Sequence, residues 1–268
     1  MYINRMAAIL VWGIVIVSLA AGCAGKETAE QSAVIATISD STSVEDRGLS
    51  VKIKIEHPKD TTTFLSKAIG EFFDEALGGE YYGNVSDVKE LMKFYTEENV
   101  KMLKTEYEEM NSENEMDSLQ LEYNADFYVL DETEKYITYQ YVIFQYTGGA
   151  HGLTDLRGAT FRKSDGRRMG WDLFTDIYDE RIQTLIHSYL RKFFEVPTDG
   201  ELKDCLMMSS RTEEIPYPQC PPLFTKSGVK LIYGQYEIAP YAAGMPEFII
   251  PYSEISELMY STAKRLLK

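Results

Sequence analysis

The sequence predicts an α+β fold, with a mixed or antiparallel sheet and helices packed on one side. Three observations predict it. Tyr136 to Tyr146 is a run of aromatic and β-branched residues that suits a buried central strand, and it leads into Thr147-Gly148-Gly149-Ala150-His151-Gly152, a turn whose glycines permit positive φ. Leu49 to Glu56 alternates, with Val51, Ile53 and Ile55 on one face and Lys52, Lys54 and Glu56 on the other. Apolar residues recur at helical spacing from Phe64 to Leu77 and again from Asp176 to Phe194. A chain of 268 residues, 44% hydrophobic and 12% aromatic, can build a real core in one large domain or two small ones.

The N-terminus reads as an address. Arg5 supplies a positive start, and Met6 to Ala20 is an apolar run too short to span a bilayer comfortably, so residues 1–22 have the shape of a signal peptide. Leu19-Ala20-Ala21-Gly22-Cys23 resembles a bacterial lipobox, with the large apolar residue one place early. The resemblance implies cleavage before Cys23 and a lipid on its sulfur, which anchors the protein to a membrane of the cell envelope. The periplasmic, outer-membrane and surface-exposed locations all stay open. Residues 23–47 are small, polar and non-periodic, as a flexible tether would be.

Leu49 to Glu56 is then the first strand, ended by Pro58. Asp60 or Thr61 is placed to cap the helix carrying Phe64, Leu65, Ile69, Phe72, Phe73 and Leu77, which Gly78-Gly79 stops. A second helix opens at Asn84 or Ser86 and continues through Met110. Leu119 to Leu130 and Tyr136 to Tyr146 read as a hairpin around Asp131-Glu132-Thr133-Glu134, and Leu156 to Arg162 as a further strand before the tight turn Ser164-Asp165-Gly166. The Asp176–Phe194 helix ends before Pro197, with His187 on its polar flank as a surface residue, and Glu195 to Leu223 is loop-rich. Phe224-Thr225 and Val229 to Tyr233 form a hairpin. Tyr236 to Gly244 reads as a strand with an irregular turn, Glu247 to Pro251 as a last strand and Ser253 to Leu267 as a last helix.

Charge narrows the partners. There are 42 acidic and 27 basic residues, a net charge of −15 that becomes −16 once Arg5 is cleaved away. Such a surface repels nucleic acid and attracts a basic partner, or simply keeps the protein soluble. Of three cysteines, Cys23 is the lipid site. Cys205 and Cys220 either form a disulfide, closing a loop of about 15 residues for roughly 3 kcal/mol, or remain two separate thiols. Neither a metal nor a cofactor is expected, because the chain carries no zinc spacing, phosphate loop or Gly-x-Ser-x-Gly elbow.

Four local patterns, Tyr146 to Gly152, Gly166 before Trp171-Asp172-Leu173-Phe174, Tyr236 to Gly244, and Ile249-Ile250-Pro251-Tyr252, resemble a bacterial extracytoplasmic domain family of unknown function. That family occurs in RsiV-type lysozyme-sensing anti-sigma factors and as the accessory region of PdaC-type peptidoglycan deacetylases. The resemblance implies two α+β subdomains, 48–147 and 148–268, meeting near Gly148–Gly152. It also implies an envelope-associated protein or cell-wall glycan as ligand, with lysozyme, a basic protein, suiting the acidic charge. The deacetylase's separate metal-binding module, with its His-x-x-x-His element, has no counterpart, since His57, His151 and His187 lack that spacing.

The candidate ligand-binding residues are Gly148, Gly149, His151, Gly152, Glu237 and Tyr241. As a general base His151 would need a nearby partner such as Asp155, Glu237 or Tyr241. Otherwise it fixes a chain crossing by bonding to backbone. The expectation is a binding module. The competing reading is a hydrolase or deacetylase of envelope polysaccharide using His151 and Glu237.

Overall fold

The computed structural model describes residues 35–46, 48–114, 120–207 and 214–267, with only the backbone of 111–114 described. The expected signal peptide, Cys23 and the first part of the tether lie outside the described residues. The described residues form one compact unit.

A six-stranded mixed sheet runs in the order β1 (Thr37–Asp46), β2 (Leu49–Pro58), β3 (Leu121–Glu132), β4 (Tyr136–Tyr146), β5 (Leu153–Arg162), β6 (Arg168–Met169). Neighbours are antiparallel except β2 and β3, which pair in parallel from Leu49↔Leu121 to Ile55↔Phe127. A parallel pair needs a long crossover, and here it consists of α1 (Phe64–Leu77) and α2 (Val88–Asn114). Both helices lie on one face of the sheet. Alternate strand residues Val51, Ile53, Ile55, Phe127, Tyr139 and Phe161 meet Ile69, Phe73, Leu91 and Met92 in the first core. Phe73 sits edge-on to Phe127 at 5.2 Å and to Tyr139 at 5.5 Å, a favourable aromatic geometry.

The second core lies on the other face. A three-stranded antiparallel sheet, β7 (Leu223–Phe224), β8 (Gly228–Ile232) and β9 (Glu247–Pro251), packs there with α3 (Glu180–Phe194), α4 (Asp199–Cys205), α5 (Tyr252–Ile255) and α6 (Ser261–Leu266). β4 is therefore buried on both sides for half its length. Ile137, Tyr139 and Tyr141 face the first core, while Tyr136 joins the second with Phe224, Tyr233 and Leu190. This explains why its sequence is apolar or aromatic at nearly every position rather than at alternate ones.

The two sheets are joined by a closed ring of hydrogen bonds. At the turn between β7 and β8 the Thr225 and Gly228 backbones exchange bonds, so Phe224 is a non-bonded pair with Val229 and its N–H and C=O point away from β8. Thr160 Oγ1 accepts the Phe224 N–H at 3.0 Å, and the Thr138 hydroxyl donates to the Phe224 carbonyl at 2.5 Å. The Thr160 hydroxyl then donates to Thr138 Oγ1 at 2.9 Å. Both threonines are fully buried.

Several expectations need correction. The tether does not reach residue 47, because Thr37–Asp46 is an edge strand pairing with β2 from Thr37↔Pro58 to Asp46↔Leu49. It is mostly polar, and its two large apolar residues, Ile38 and Val44, stay exposed, so no buried face repeats along it. Its hold comes from side chains such as Asp40, which takes His57 Nε2 at 3.1 Å, and Thr42, whose hydroxyl shares a 2.6 Å bond with that of Thr96. The expected division at residue 148 falls between β4 and β5 of one sheet, and the change of sheet comes only after Met169. Thr63, rather than Asp60 or Thr61, caps α1 by accepting the Ser66 N–H at 3.0 Å. Tyr236–Gly244 is not a strand but a turn with a short 3-10 segment at Tyr241–Ala243. The last helix is broken into α5, a 3-10 turn at Ser256–Leu258, and α6, because Met259 leaves the helix to bridge Phe174. The loop-rich span holds the extra helix α4, capped by Thr198. His187 is mostly covered, with Nδ1 3.3 Å from Asp199.

Cys205 and Cys220 are free thiols, not a disulfide. Cys220 is buried with Leu156, Leu223 and Ile232 against the far face of β5, whereas Cys205 is half-buried at the end of α4.

Candidate functional site

β4 delivers the glycine turn, and β5 carries the chain back. Gly148 and Gly149 hold φ of +97° and +93°, a conformation L side chains rarely adopt, so the reversal needs glycine at both places. Gly152 serves a different need: a Cβ there would stand 2.4 Å from the Phe144 ring, so only glycine lets the returning chain pass the end of β4. Between these glycines His151 projects into solvent.

The second half of the site is the loop after Tyr233. Ile238 and Ala239 are consecutive buried residues, which forces the flanking Tyr236 and Tyr241 outward. Tyr236 adopts φ +61°, a strained left-handed conformation for a non-glycine residue. Gln235 ties this loop to the glycine turn by accepting the Thr154 N–H at 2.7 Å.

The two halves meet at His151. Its ring stacks on Tyr241 with centroids 3.8 Å apart and planes at 15°. Nδ1 lies 3.1 Å from the Gly152 carbonyl, which can only accept, so Nδ1 carries the proton. Nε2 is then the acceptor for the Tyr236 hydroxyl at 3.0 Å. Tyr236 and Tyr241 remain 42% and 40% exposed, and Leu153 beside them 58%, so the cluster is an apolar, aromatic patch open to solvent.

Of the six candidate residues, the structure brings His151 and Tyr241 into contact and uses Gly148, Gly149 and Gly152 to shape the turn. Glu237 is not part of the cluster. Its two carboxylate oxygens accept the backbone N–H groups of Gln219 and Gly234, each at 2.6 Å, which pins the loop. Asp155 is likewise engaged elsewhere, with the Tyr141 hydroxyl at 3.0 Å and Arg157 Nε at 2.8 Å. Burial and the neighbouring Asp155 push the Tyr141 phenol well above its usual range, so it stays a hydrogen-bond donor. Tyr236 carries no signal of its own in the sequence, where Tyr236 to Gly244 reads as a strand.

Both nitrogens of His151 are hydrogen-bonded, and among the described residues no carboxylate bonds to it. No cluster of three or more His, Cys, Asp or Glu residues among the described residues is arranged to hold a metal. What the arrangement offers is a rigid, exposed set of rings with a polar edge.

These features define a two-sheet α+β protein with a surface aromatic cluster at a glycine turn. Residues 171–253 match the family described as "Protein of unknown function (DUF3298)", and residues 44–154 match the family described as "Deacetylase PdaC". A crystal structure of a DUF3298 family member from Bacteroides fragilis superposes with a TM-score of 0.67 at 25% identity, covering 87% of this chain and 98% of that one. A DUF3298 family protein from Pseudomonas aeruginosa shares the fold, with a TM-score of 0.58 at 13% identity over 86% of this chain and 95% of that one. No curated protein matches the chain. The resemblance to a family of unknown function, with a PdaC-associated region ahead of a DUF3298 region, is thereby supported.

Proposed function

We propose that this protein is a lipid-anchored binding module of the bacterial cell envelope, held by a lipid on Cys23. In this reading the His151–Tyr236–Tyr241 face binds an envelope-associated basic protein or a cell-wall glycan. The observation that carries it is the state of the candidate catalytic groups. The imidazole is fixed at both nitrogens and stacked, and the Glu237 carboxylate is used to hold backbone. Groups arranged this way position surface rather than move protons. Exposed tyrosines on a rigid loop are efficient contact groups, and a chain of net charge −15 attracts a cationic partner.

Both cores are drawn from residues 35–267, so the polypeptide 24–268 keeps every core residue and is suited to the test. Titration calorimetry with lysozyme and with soluble peptidoglycan fragments should show binding to one of them. Tyr241→Ala and His151→Ala should weaken it at least about tenfold, the usual cost of truncating an interface anchor. Release of acetate or reducing ends from peptidoglycan, lost in His151→Ala, would instead establish the hydrolase or deacetylase reading. Binding unaffected by either substitution would place the contact surface elsewhere.

A further inference from the structure

The His151 cluster sits at one end of β4. At the other end is a groove of about 910 Å3 between the start of β1, the first turn of α1 and the turns that follow β3 and β5. The eleven residues of β4 separate the two ends by roughly 35 Å at the usual strand rise.

Three properties of this groove belong together. Its floor is apolar, with Ile35, Leu65 and Leu266 lining it. Its rim reverses the charge of the chain: Lys59, Lys135, Arg162 and Lys163 line it against Asp60 and Glu134, whereas the whole sequence has 42 acidic to 27 basic residues. Arg162 is paired with Asp165, and Lys163 with Glu132. Lys135 donates to the Arg265 carbonyl at 2.6 Å, and neither it nor Lys59 has a carboxylate partner among the described residues. At its lip, between the lining residues Thr63 and Leu65, Phe64 is 84% exposed on the first turn of α1. A largely solvated phenylalanine beside unneutralised lysines is the pattern of a surface that enters a lipid interface.

The place of the groove agrees with its chemistry. Ile35, the first described residue, lines it, so the 34 residues that include Cys23 join the body here. We infer that this pole is a docking surface for an anionic phospholipid membrane, with Phe64 and the apolar floor at the acyl boundary and Lys59 and Lys135 on the headgroups. The inference rests on the envelope reading above. Docked in this way, the body would turn the His151 cluster away from the bilayer.

The test is cosedimentation of the polypeptide 24–268, which carries no acyl chain, with vesicles of phosphatidylcholine alone or mixed with phosphatidylglycerol. Binding is expected to the mixed vesicles only and to fall with salt. Lys59→Glu with Lys135→Glu should weaken it at least about tenfold, and Phe64→Ser should weaken it as well. All three side chains are exposed, so the variants should keep their fold, which circular dichroism checks. No binding, equal binding to both vesicle types, or indifference to these substitutions overturns the inference. So does uptake of a short-chain, monomeric phosphatidylglycerol without vesicle binding, which would make the groove a pocket for a single amphiphile. The result does not depend on acylation of Cys23. That is decided separately by the mass of the N-terminal peptide from envelope extracts, so the two readings can fail independently.

Discussion

Replacing Thr138 by valine tests how the two sheets are held together. The side chains are nearly isosteric, so the fully buried site keeps its volume and loses one hydroxyl. That hydroxyl is the donor to the Phe224 carbonyl at 2.5 Å and the acceptor for Thr160 at 2.9 Å. Valine leaves a buried carbonyl oxygen and a buried hydroxyl proton without partners. Each such group costs about 1–3 kcal/mol, so the variant should lose about 2–4 kcal/mol when partial relaxation is allowed for. In a chain of this size, that lowers the melting temperature by about 4–16 °C. Because the three bonds form a ring, Thr160→Val should be of similar size. The double variant should cost clearly less than the sum of the two singles, since Thr138 and Thr160 lose a shared bond. Urea unfolding of polypeptide 24–268 and its three variants provides the cycle. A loss below about 0.5 kcal/mol for Thr138→Val, or strict additivity in the cycle, would refute the ring as a rivet between the sheets.

Three further outcomes follow from the structure. Burial pushes the Cys220 thiol up to about 12, so a thiol reagent at neutral pH should label Cys205 and leave Cys220 untouched until the chain unfolds. A peptide map showing the two joined would overturn the free-thiol assignment. Asp179 caps α3, and its hydrogen bond from Arg181 lowers its carboxyl to about 2 from the usual 3.8. Its contribution to stability is therefore complete above pH 4 and is lost as pH falls from about 4 toward 2. A carbon-detected titration with a midpoint near 2 is expected, and one near 4 would show that the cap is not formed. Gly152→Ala puts a methyl 2.4 Å from Phe144 and 2.9 Å from the Gln145 carbonyl, so it should cost about 1–3 kcal/mol and displace the His151 imidazole resonances.

How much of this could be read from the sequence depended on where each signal originates. β4 was plain because burial on both faces leaves an unbroken apolar and aromatic run. α1 and α3 were plain because a single buried stripe repeats at helical spacing. β1 was not, since an edge strand that buries neither face has the composition of a tether. The loop after Tyr233 misled for a more specific reason. Tyr236, Ile238 and Pro240 mimic strand alternation, but Ile238 and Ala239 are both buried and Tyr236 sits at φ +61°. At the site, the glycines around His151 marked it in the sequence. Its hydrogen-bond partner Tyr236 lies 85 positions away, and only the folded chain brings them together. Glu237 looked like chemistry because a carboxylate in a loop says nothing about which backbone amides it will meet.

The threonine ring also bears on how the protein behaves among other polypeptide chains. Phe224 presents the outer edge of the small sheet, and an unpaired edge is an invitation to another chain's strand. Hydroxyls from the neighbouring sheet occupy both of its backbone groups, so this flank cannot zip onto a second molecule while the body stays intact. Loosening the seam would uncover that flank, and the first sign of damage would be self-association rather than simple unfolding.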